Sequence, residues 1–257
     1  NQQTLTKRNT MLTTFAKQAD EQIFLNNARR QNAYSLDEKV LAPYSRLLLK
    51  PDEKKLIVVH LLGTHMKYAY RYPESYNHFK DATGLPNHVS TDSDKVELIN
   101  SYDNAVLYND FIVHELINRL KKTNHSNAQS LLVYFSDHGE DVYDTAPHDF
   151  KGRNEGAPTY PMYAVPFIVW HSDNWQESAR LADASILNRQ YDNADFIYTW
   201  SDLIGLTYDG YRDDESILSK LFTADQILVG DPYGQSLHVL AGTAKSNAKQ
   251  IIVSKDQ

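Results

Sequence analysis

Three short apolar runs stand out along the chain, at residues 56–62, 131–135 and 166–170. Each is rich in β-branched or aromatic residues and almost free of charge, and Gly63 ends the first of them. A strand with one face in water alternates apolar with polar residues, whereas a strand that is apolar throughout needs cover on both faces. The three runs therefore predict buried strands of one sheet.

Between these runs, apolar residues recur at the spacing of amphipathic helices. The clearest pattern predicts a helix over residues 96–122, and weaker patterns predict helices over residues 13–30 and 192–206. A further helix is predicted to start at Ser35, because Glu38 completes a capping box with it. Apolar strands that alternate with amphipathic helices predict an α/β fold, a mainly parallel sheet covered by helices on both faces.

Composition and charge narrow the classes of function. The chain has 257 residues, and its 26 Lys and Arg against 33 Asp and Glu give a net charge of −7. This balance disfavours nucleic-acid binding, which usually needs basic patches. The absence of cysteine excludes disulfides and thiolate metal sites. None of the apolar runs approaches the length of about 20 residues that crosses a bilayer.

Polar residues with metal-binding or catalytic chemistry follow two of the predicted strands. The run HLLGTH at residues 60–65 offers His60 and His65 for a metal or for phosphoryl oxygens, or else one histidine is capped within the sheet and the other is solvated. Asp137 and His138 supply oxygen and nitrogen ligands, a set that suits Zn²⁺ well and Mn²⁺ or Mg²⁺ less specifically. The alternative for this pair is a turn cap beside a surface histidine.

A third group of such residues lies in the polar loop that follows. His148 stands ten positions after His138, and Arg153, Asn154 and Glu155 come soon after it. Together they could bind an anion, with the arginine acting as a bidentate fork, although such loops are more often simply solvated. The sequence contains no glycine-rich phosphate loop, no nucleophile elbow and no HExxH motif.

The order of these motifs resembles the bacterial phosphoethanolamine transferases that modify lipopolysaccharide, which belong to the sulfatase and alkaline phosphatase superfamily. The matching segments are HLLGTH at 60–65, YRYP at 70–73, YDN at 102–104, YND at 108–110, YFSDHGE at 134–140 and VPFIVW at 165–170. The segments NQQT at 1–4, RNTMLT at 8–13, VYDT at 142–145 and RNE at 153–155 are most similar to the branch that acts on heptose phosphate of the lipopolysaccharide core. Asp141 stands where the lipid A branch commonly has serine.

The resemblance implies a fold and a location. The fold is a three-layer α/β sandwich of the alkaline phosphatase and sulfatase type. Residues 1–257 are expected to be the C-terminal part of a periplasmic catalytic domain of a bacterial inner-membrane enzyme, whose membrane association comes from a preceding region. The opening Asn1-Gln2-Gln3, without an initiator Met, agrees with a part of a longer protein.

The resemblance also implies the chemistry. Asp137 and His138 correspond to zinc ligands, and His65 and His148 to contacts with phosphate or a second metal, with His60 in a supporting role. The donor is phosphatidylethanolamine and the acceptor is a lipopolysaccharide phosphate, on the core heptose or on lipid A. In the family, an acidic metal ligand and a nucleophilic threonine precede the matched region, so this chain alone is expected to be inactive.

Two other interpretations stay open at the level of sequence. One is a hydrolase of the same superfamily, a sulfatase or a phosphodiesterase. The other is a folded but catalytically inert module, since the upstream ligand and nucleophile have no counterpart here.

Overall fold

The computed structural model describes residues 11–26, 34–123, 128–147, 149–224, 226–231 and 236–240. The chain divides into two compact units. The first takes its described residues from Asn1–Ser136, Val142–Phe150 and Pro166–Asp183, and the second takes them from Asp137–Asp141, Lys151–Val165 and Ala184–Gln257. No helix of these described residues is long and apolar enough to cross a membrane.

The chain contains both helices and strands, which agrees with the α/β class. The helices are α1 Met11–Ala16, α2 Leu41–Leu48, α3 Ser93–Thr123, α4 Ser178–Leu181 and α5 Phe196–Ile204. The strands are β1 Leu131–Phe135, β2 Asp141–Val142, β3 Lys151–Gly152, β4 Phe167–His171, β5 Leu228–Asp231 and β6 Ser236–Val239. Short 3-10 helices connect several of these elements.

The long helix α3 organises the core of the first unit, and it confirms the helix predicted over residues 96–122. Tyr108, Ile112 and Leu116 recur every four residues on its buried side. They pack against Val40, Leu41 and Tyr44 at the start of α2. The spacing of apolar residues therefore located the helix.

The buried strand predicted over residues 56–62 is wrong. The described chain is irregular there, with Val58 76% and Leu56 69% exposed. Ile57 and Val59 point the other way and pack on the core beside α3. The side chains alternate as they do in a strand, but only one of the two faces finds apolar partners among the described residues. The apolar composition of the run alone had predicted that other elements bury both of its faces.

Strands β1 and β4 confirm the other two predicted strands, and both are half-buried along their whole length. They pair antiparallel, with Val133 opposite Val169, whereas the alternation of elements had predicted parallel pairing. An apolar run shows that a strand is covered, but it carries no information on the direction of its neighbour.

Two predictions for the first helices also need correction. The helix predicted over residues 13–30 is reduced to α1, and the described chain from 17 to 26 forms turns and irregular structure. Ser35 caps no helix, because a 3-10 helix starts two residues later at Asp37–Val40 and continues into α2. The Ser35 hydroxyl instead donates to Oδ1 of Asn26 over 3.0 Å.

In the second unit, helix α5 follows the 3-10 helix Asn193–Asp195, which confirms the helix predicted over residues 192–206. Leu203 on α5 is fully buried. Nη1 of Arg189 donates to the carbonyls of Ile217 and Ser219, each over 2.5 Å. These bonds hold the loop that contains the two carbonyls within this unit. Strands β5 and β6 form an antiparallel hairpin.

Candidate active site

Asp137 and His138 form a turn at the surface of the second unit, two residues after β1 ends. The Asp137 side chain is 89% exposed and that of His138 33% exposed, and Nε2 of His138 lies 4.0 Å from Oδ1 of Asp137. Nδ1 of His138 lies 3.0 Å from the carbonyl oxygen of Gly139. Because a carbonyl only accepts, Nδ1 carries the proton, which makes Nε2 the acceptor nitrogen of a neutral ring.

The residue types of this pair suit a zinc ion. Two ligands about 2.0 to 2.2 Å from a tetrahedral zinc lie roughly 3.3 to 3.6 Å apart, so these donor atoms, 4.0 Å apart, would have to approach by about half an ångström to bind one ion at that angle. A carbonyl that fixes the tautomer of a histidine ligand is a usual feature of zinc sites. Across the described ranges, no group of three His, Cys, Asp or Glu side chains is placed to hold a metal. The pair alone offers two donor atoms, whereas a tetrahedral zinc site needs four.

Gly139 joins this turn to the segment around Met162. Its N–H donates to the carbonyl of Met162 over 3.0 Å. A Cβ at this position would lie 2.1 Å from the carbonyl oxygen of Pro161 and 3.1 Å from that of Ala164. Close approach of the backbone therefore requires glycine at this position.

Asp141 anchors the other end of the same turn. It is fully buried, and its Oδ2 accepts a hydrogen bond of 2.7 Å from the hydroxyl of Thr159. Sequence reasoning missed Thr159, because a contact between residues eighteen positions apart leaves no local pattern. Asp141, which the resemblance linked to the choice of acceptor, therefore stabilises the turn that carries Asp137 and His138.

The predicted histidine pair at residues 60–65 lies in the first unit. His60 is half-buried and His65 is exposed. The N–H of His65 donates to the carbonyl of Leu62 over 3.1 Å, which closes a β-turn, and Gly63 within it has a φ of +54° that favours glycine. Nδ1 of His65 lies 2.8 Å from the carbonyl of Met66, so in the neutral ring this nitrogen carries the proton and Nε2 accepts.

Two buried charged residues hold this turn, and sequence reasoning missed both. The carboxylate of Asp37, which is 4% exposed, accepts from the N–H of Leu62 over 3.0 Å and of Gly63 over 2.7 Å. Nε of Arg71, also 4% exposed, donates to the carbonyl of His65 over 2.7 Å. Burial lowers the pKa of Arg71, and the charge of Asp37 opposes that shift. The YRYP motif marked Arg71, but nothing near it in sequence pointed to the turn.

The remaining predicted residues are placed as follows. His148 lies outside the described residues. Arg153 forms an ion pair with Oε1 of Glu155, whose Oε2 accepts from the hydroxyl of Tyr163. This pairing engages the guanidinium that was predicted to bind an anion. The structure brings Asp137 and His138 together, while His65 belongs to the other unit, so its convergence with them stays a prediction.

The chain is similar to a known family and to known sequences and structures. The family model described as Sulfatase matches residues 1–206. The chain is 47% identical over 235 residues to phosphoethanolamine transferase EptC of Escherichia coli strain K12, and 48% identical over 235 residues to phosphoethanolamine transferase CptA of Salmonella typhimurium strain LT2. These alignments cover 91% of this chain but 40% of each relative, so the chain spans less than half their length.

The structural comparison agrees. The crystal structure of the C-terminal periplasmic domain of EptC from Escherichia coli, in complex with Zn, matches with a TM-score of 0.84 and 46% sequence identity. The match covers 93% of this chain and 66% of that one. The family model spans most of the sequence and includes both candidate turns. This chain belongs to the sulfatase family.

Proposed function

We propose that this chain forms part of the catalytic domain of a metal-dependent phosphoethanolamine transferase that acts on lipopolysaccharide. The observation that carries the proposal is the Asp137 and His138 turn, whose two donor atoms lie 4.0 Å apart, with Nδ1 of the histidine held by the carbonyl of Gly139. The similarity to EptC and CptA, both phosphoethanolamine transferases, supports this reaction over others in the family.

The donor set supports zinc as the metal. Oδ1 of Asp137 and Nε2 of His138 would hold it, together with an acidic residue that the family resemblance places before the matched region. An imidazole nitrogen ligand favours Zn²⁺ over Mn²⁺ or Mg²⁺, which prefer oxygen. When bound, zinc supplies a Lewis acid that makes an alcohol nucleophilic at neutral pH. The Zn complex of the EptC domain agrees with this choice.

The proposed reaction is a double displacement. A threonine hydroxyl, which the resemblance places upstream of this chain, attacks the phosphorus of phosphatidylethanolamine, and diacylglycerol leaves. A phosphate oxygen of lipopolysaccharide then attacks the phosphoethanolamine-threonine and releases the threonine. With its ring protonated, His65 would donate from Nε2–H to a phosphoryl oxygen, the side chain of His148 would contact another, and both would offset the charge that develops there.

The proposed location follows from the relatives. The solved neighbour is a C-terminal periplasmic domain, so we place residues 1–257 on the periplasmic side of the bacterial inner membrane, in an enzyme that reaches its lipid donor through a membrane-associated region outside this sequence. For the acceptor we propose a phosphate on core heptose rather than on lipid A, because the motifs at 142–145 and 153–155 resemble the core-modifying branch. Residues 1–257 alone are expected to be inactive.

The experiment that tests this function is an analysis of the product. The longer protein that contains this chain is incubated with phosphatidylethanolamine vesicles and lipopolysaccharide, and mass spectrometry then locates any added phosphoethanolamine on core or lipid A. We expect addition to the core, and its loss in His138→Ala. His114→Ala, an exposed histidine on α3, is the matched control and is expected to keep activity. Free phosphoethanolamine without modified lipopolysaccharide would instead identify a hydrolase of the same family.

A further inference from the structure

Two buried charged side chains hydrogen-bond to the two ends of the turn of residues 62–65. Asp37 accepts the N–H groups of Leu62 and Gly63 with its two carboxylate oxygens, and Arg71 donates to the carbonyl of His65. Both charged side chains are 4% exposed. Buried charges are costly unless they are paired and hydrogen-bonded. Two of them on one turn therefore indicate that the turn has to be held in a defined conformation.

The hydrogen bonds fix the backbone on each side of the histidine. The first two residues of the turn are held through their N–H groups, and its last residue through its carbonyl, while the bond from His65 N to Leu62 O closes the ring. The imidazole of His65 is exposed, and its Nδ1 is engaged by the carbonyl of Met66. The side chain therefore projects from a rigid backbone with Nε2 directed away from its own turn.

We propose that Asp37 and Arg71 are positioning residues that hold His65 in the orientation needed to contact a phosphoryl oxygen, which rests on the proposed function. Neither side chain reaches the surface, so both act through the backbone of residues 62–65. Asp37 sets the start of the turn from the 3-10 helix Asp37–Val40, and Arg71 sets its end. Misplacement of a catalytic group by about 1 Å can cost a hundredfold in rate.

The test combines single and double variants of the longer protein. Asp37→Asn keeps the shape but replaces one accepting oxygen by an amide that cannot accept, and Arg71→Lys removes the planar donor. Each is expected to lower kcat about tenfold to a hundredfold with little change in KM. In a His65→Ala background, the same substitutions are expected to cost no further kcat, because their effect passes through His65. An equal loss in both backgrounds would overturn the proposal.

A matched control separates positioning from general stability. Glu215 is 5% exposed and pairs with Arg212 over 2.5 Å in the second unit, so Glu215→Gln removes a comparable buried carboxylate. We expect it to lower the melting temperature but to leave kcat unchanged. If Glu215→Gln lowers kcat as Asp37→Asn does, loss of stability explains both results and the proposal falls.

A spectroscopic readout distinguishes failure of this inference from failure of the proposed function. In ¹⁵N-histidine-labelled protein, His65 is assigned by its disappearance in His65→Ala, and its ring shifts report the tautomer. We expect the Nδ1 signal of the parent protein to be that of a protonated nitrogen held by the carbonyl of Met66, and a mixture of Nδ1 states in Asp37→Asn. If transfer activity is absent altogether while these shifts respond, the function is wrong and the positioning stands. If the shifts do not respond, the positioning is wrong whatever the activity.

Discussion

The hydroxyl of Thr159 donates a hydrogen bond of 2.7 Å to Oδ2 of Asp141, in a part of the second unit where Asp141 is fully buried and Thr159 is 7% exposed. Gly139 is tied to the same segment through the carbonyl of Met162. The turn that carries the two proposed zinc ligands is therefore held at Asp141, four and three residues after them, and at Gly139 between.

Removing the hydroxyl of Thr159 should destabilise the protein. Thr159→Val keeps the shape of the side chain but leaves a buried carboxylate oxygen without this donor, so the free energy of unfolding should fall by about 1–3 kcal/mol. Chemical denaturation measures the change. Thr207→Val, at an exposed threonine, is the matched control and should change stability by less than about 0.5 kcal/mol. A similarly small change in Thr159→Val would mean that the buried hydrogen bond makes no net contribution to the free energy of unfolding.

Gly139 offers a second, steric test of the same turn. In Gly139→Ala the new Cβ would meet a backbone carbonyl, which cannot move aside as a side chain can. We expect a loss of about 1–3 kcal/mol in stability and weaker zinc binding. Gly156→Ala meets only the side chain of Asn154, at 3.3 Å, and serves as the control. Unchanged zinc affinity in Gly139→Ala would show that the turn tolerates the displacement.

Much of the fold could be predicted from the sequence where the signal is local. Helix α3 and strands β1 and β4 were located because helical spacing and apolar runs are properties of neighbouring residues. The segment at 56–62 was mistaken for a buried strand because composition cannot tell whether a second face has a partner. The antiparallel pairing of β1 with β4 was missed for a related reason, since direction depends on the path of the chain between the strands.

The candidate site likewise has residues that the sequence could predict and residues that it could not. The residue types and spacing of Asp137 and His138 predicted a metal-binding pair, and the structure places their donor atoms 4.0 Å apart. Thr159 and Asp37 could not be predicted, because each acts on a turn 18 to 26 positions away in sequence. Such supporting residues show themselves only through burial and hydrogen-bond geometry.

Zinc affinity tests the role of the pair directly. His138→Ala and Asp137→Ala each remove a proposed zinc ligand. Loss of a residue that only hydrogen-bonds to a ligand typically weakens metal binding 10- to 100-fold, so each of these variants should weaken zinc binding by more than that. Competition with a chelator measures this in the longer protein. His114→Ala controls for the loss of an exposed histidine. Equal affinity in all three variants would place the metal elsewhere.

Asp103 on α3 should make stability depend on pH. Burial raises the pKa of its carboxyl above the usual range, and the negative charge of Asp144 adds to the shift. The folded state therefore holds this proton more tightly than the unfolded state does, and the group costs stability as pH rises from about 4 through the raised pKa. Asp103→Asn should match the parent protein at low pH and melt at a higher temperature at pH 7.

The control for this prediction is Asp110→Asn, which removes a negative charge from an exposed position on the same helix. Thermal melts of the three proteins across pH 3 to 8 give the comparison. An advantage of Asp103→Asn that stays constant with pH would show that the carboxyl does not carry the effect.

The release of labelled diacylglycerol from phosphatidylethanolamine tests the central claim most directly. The longer protein should release it in the presence of zinc and lipopolysaccharide, and Asp137→Ala or His138→Ala should abolish release, while residues 1–257 alone should release none. Full activity in both variants would contradict the assigned zinc ligands. Robust transfer by residues 1–257 alone would place the nucleophile within this chain, and Thr64, beside His65, would then be the first residue to replace.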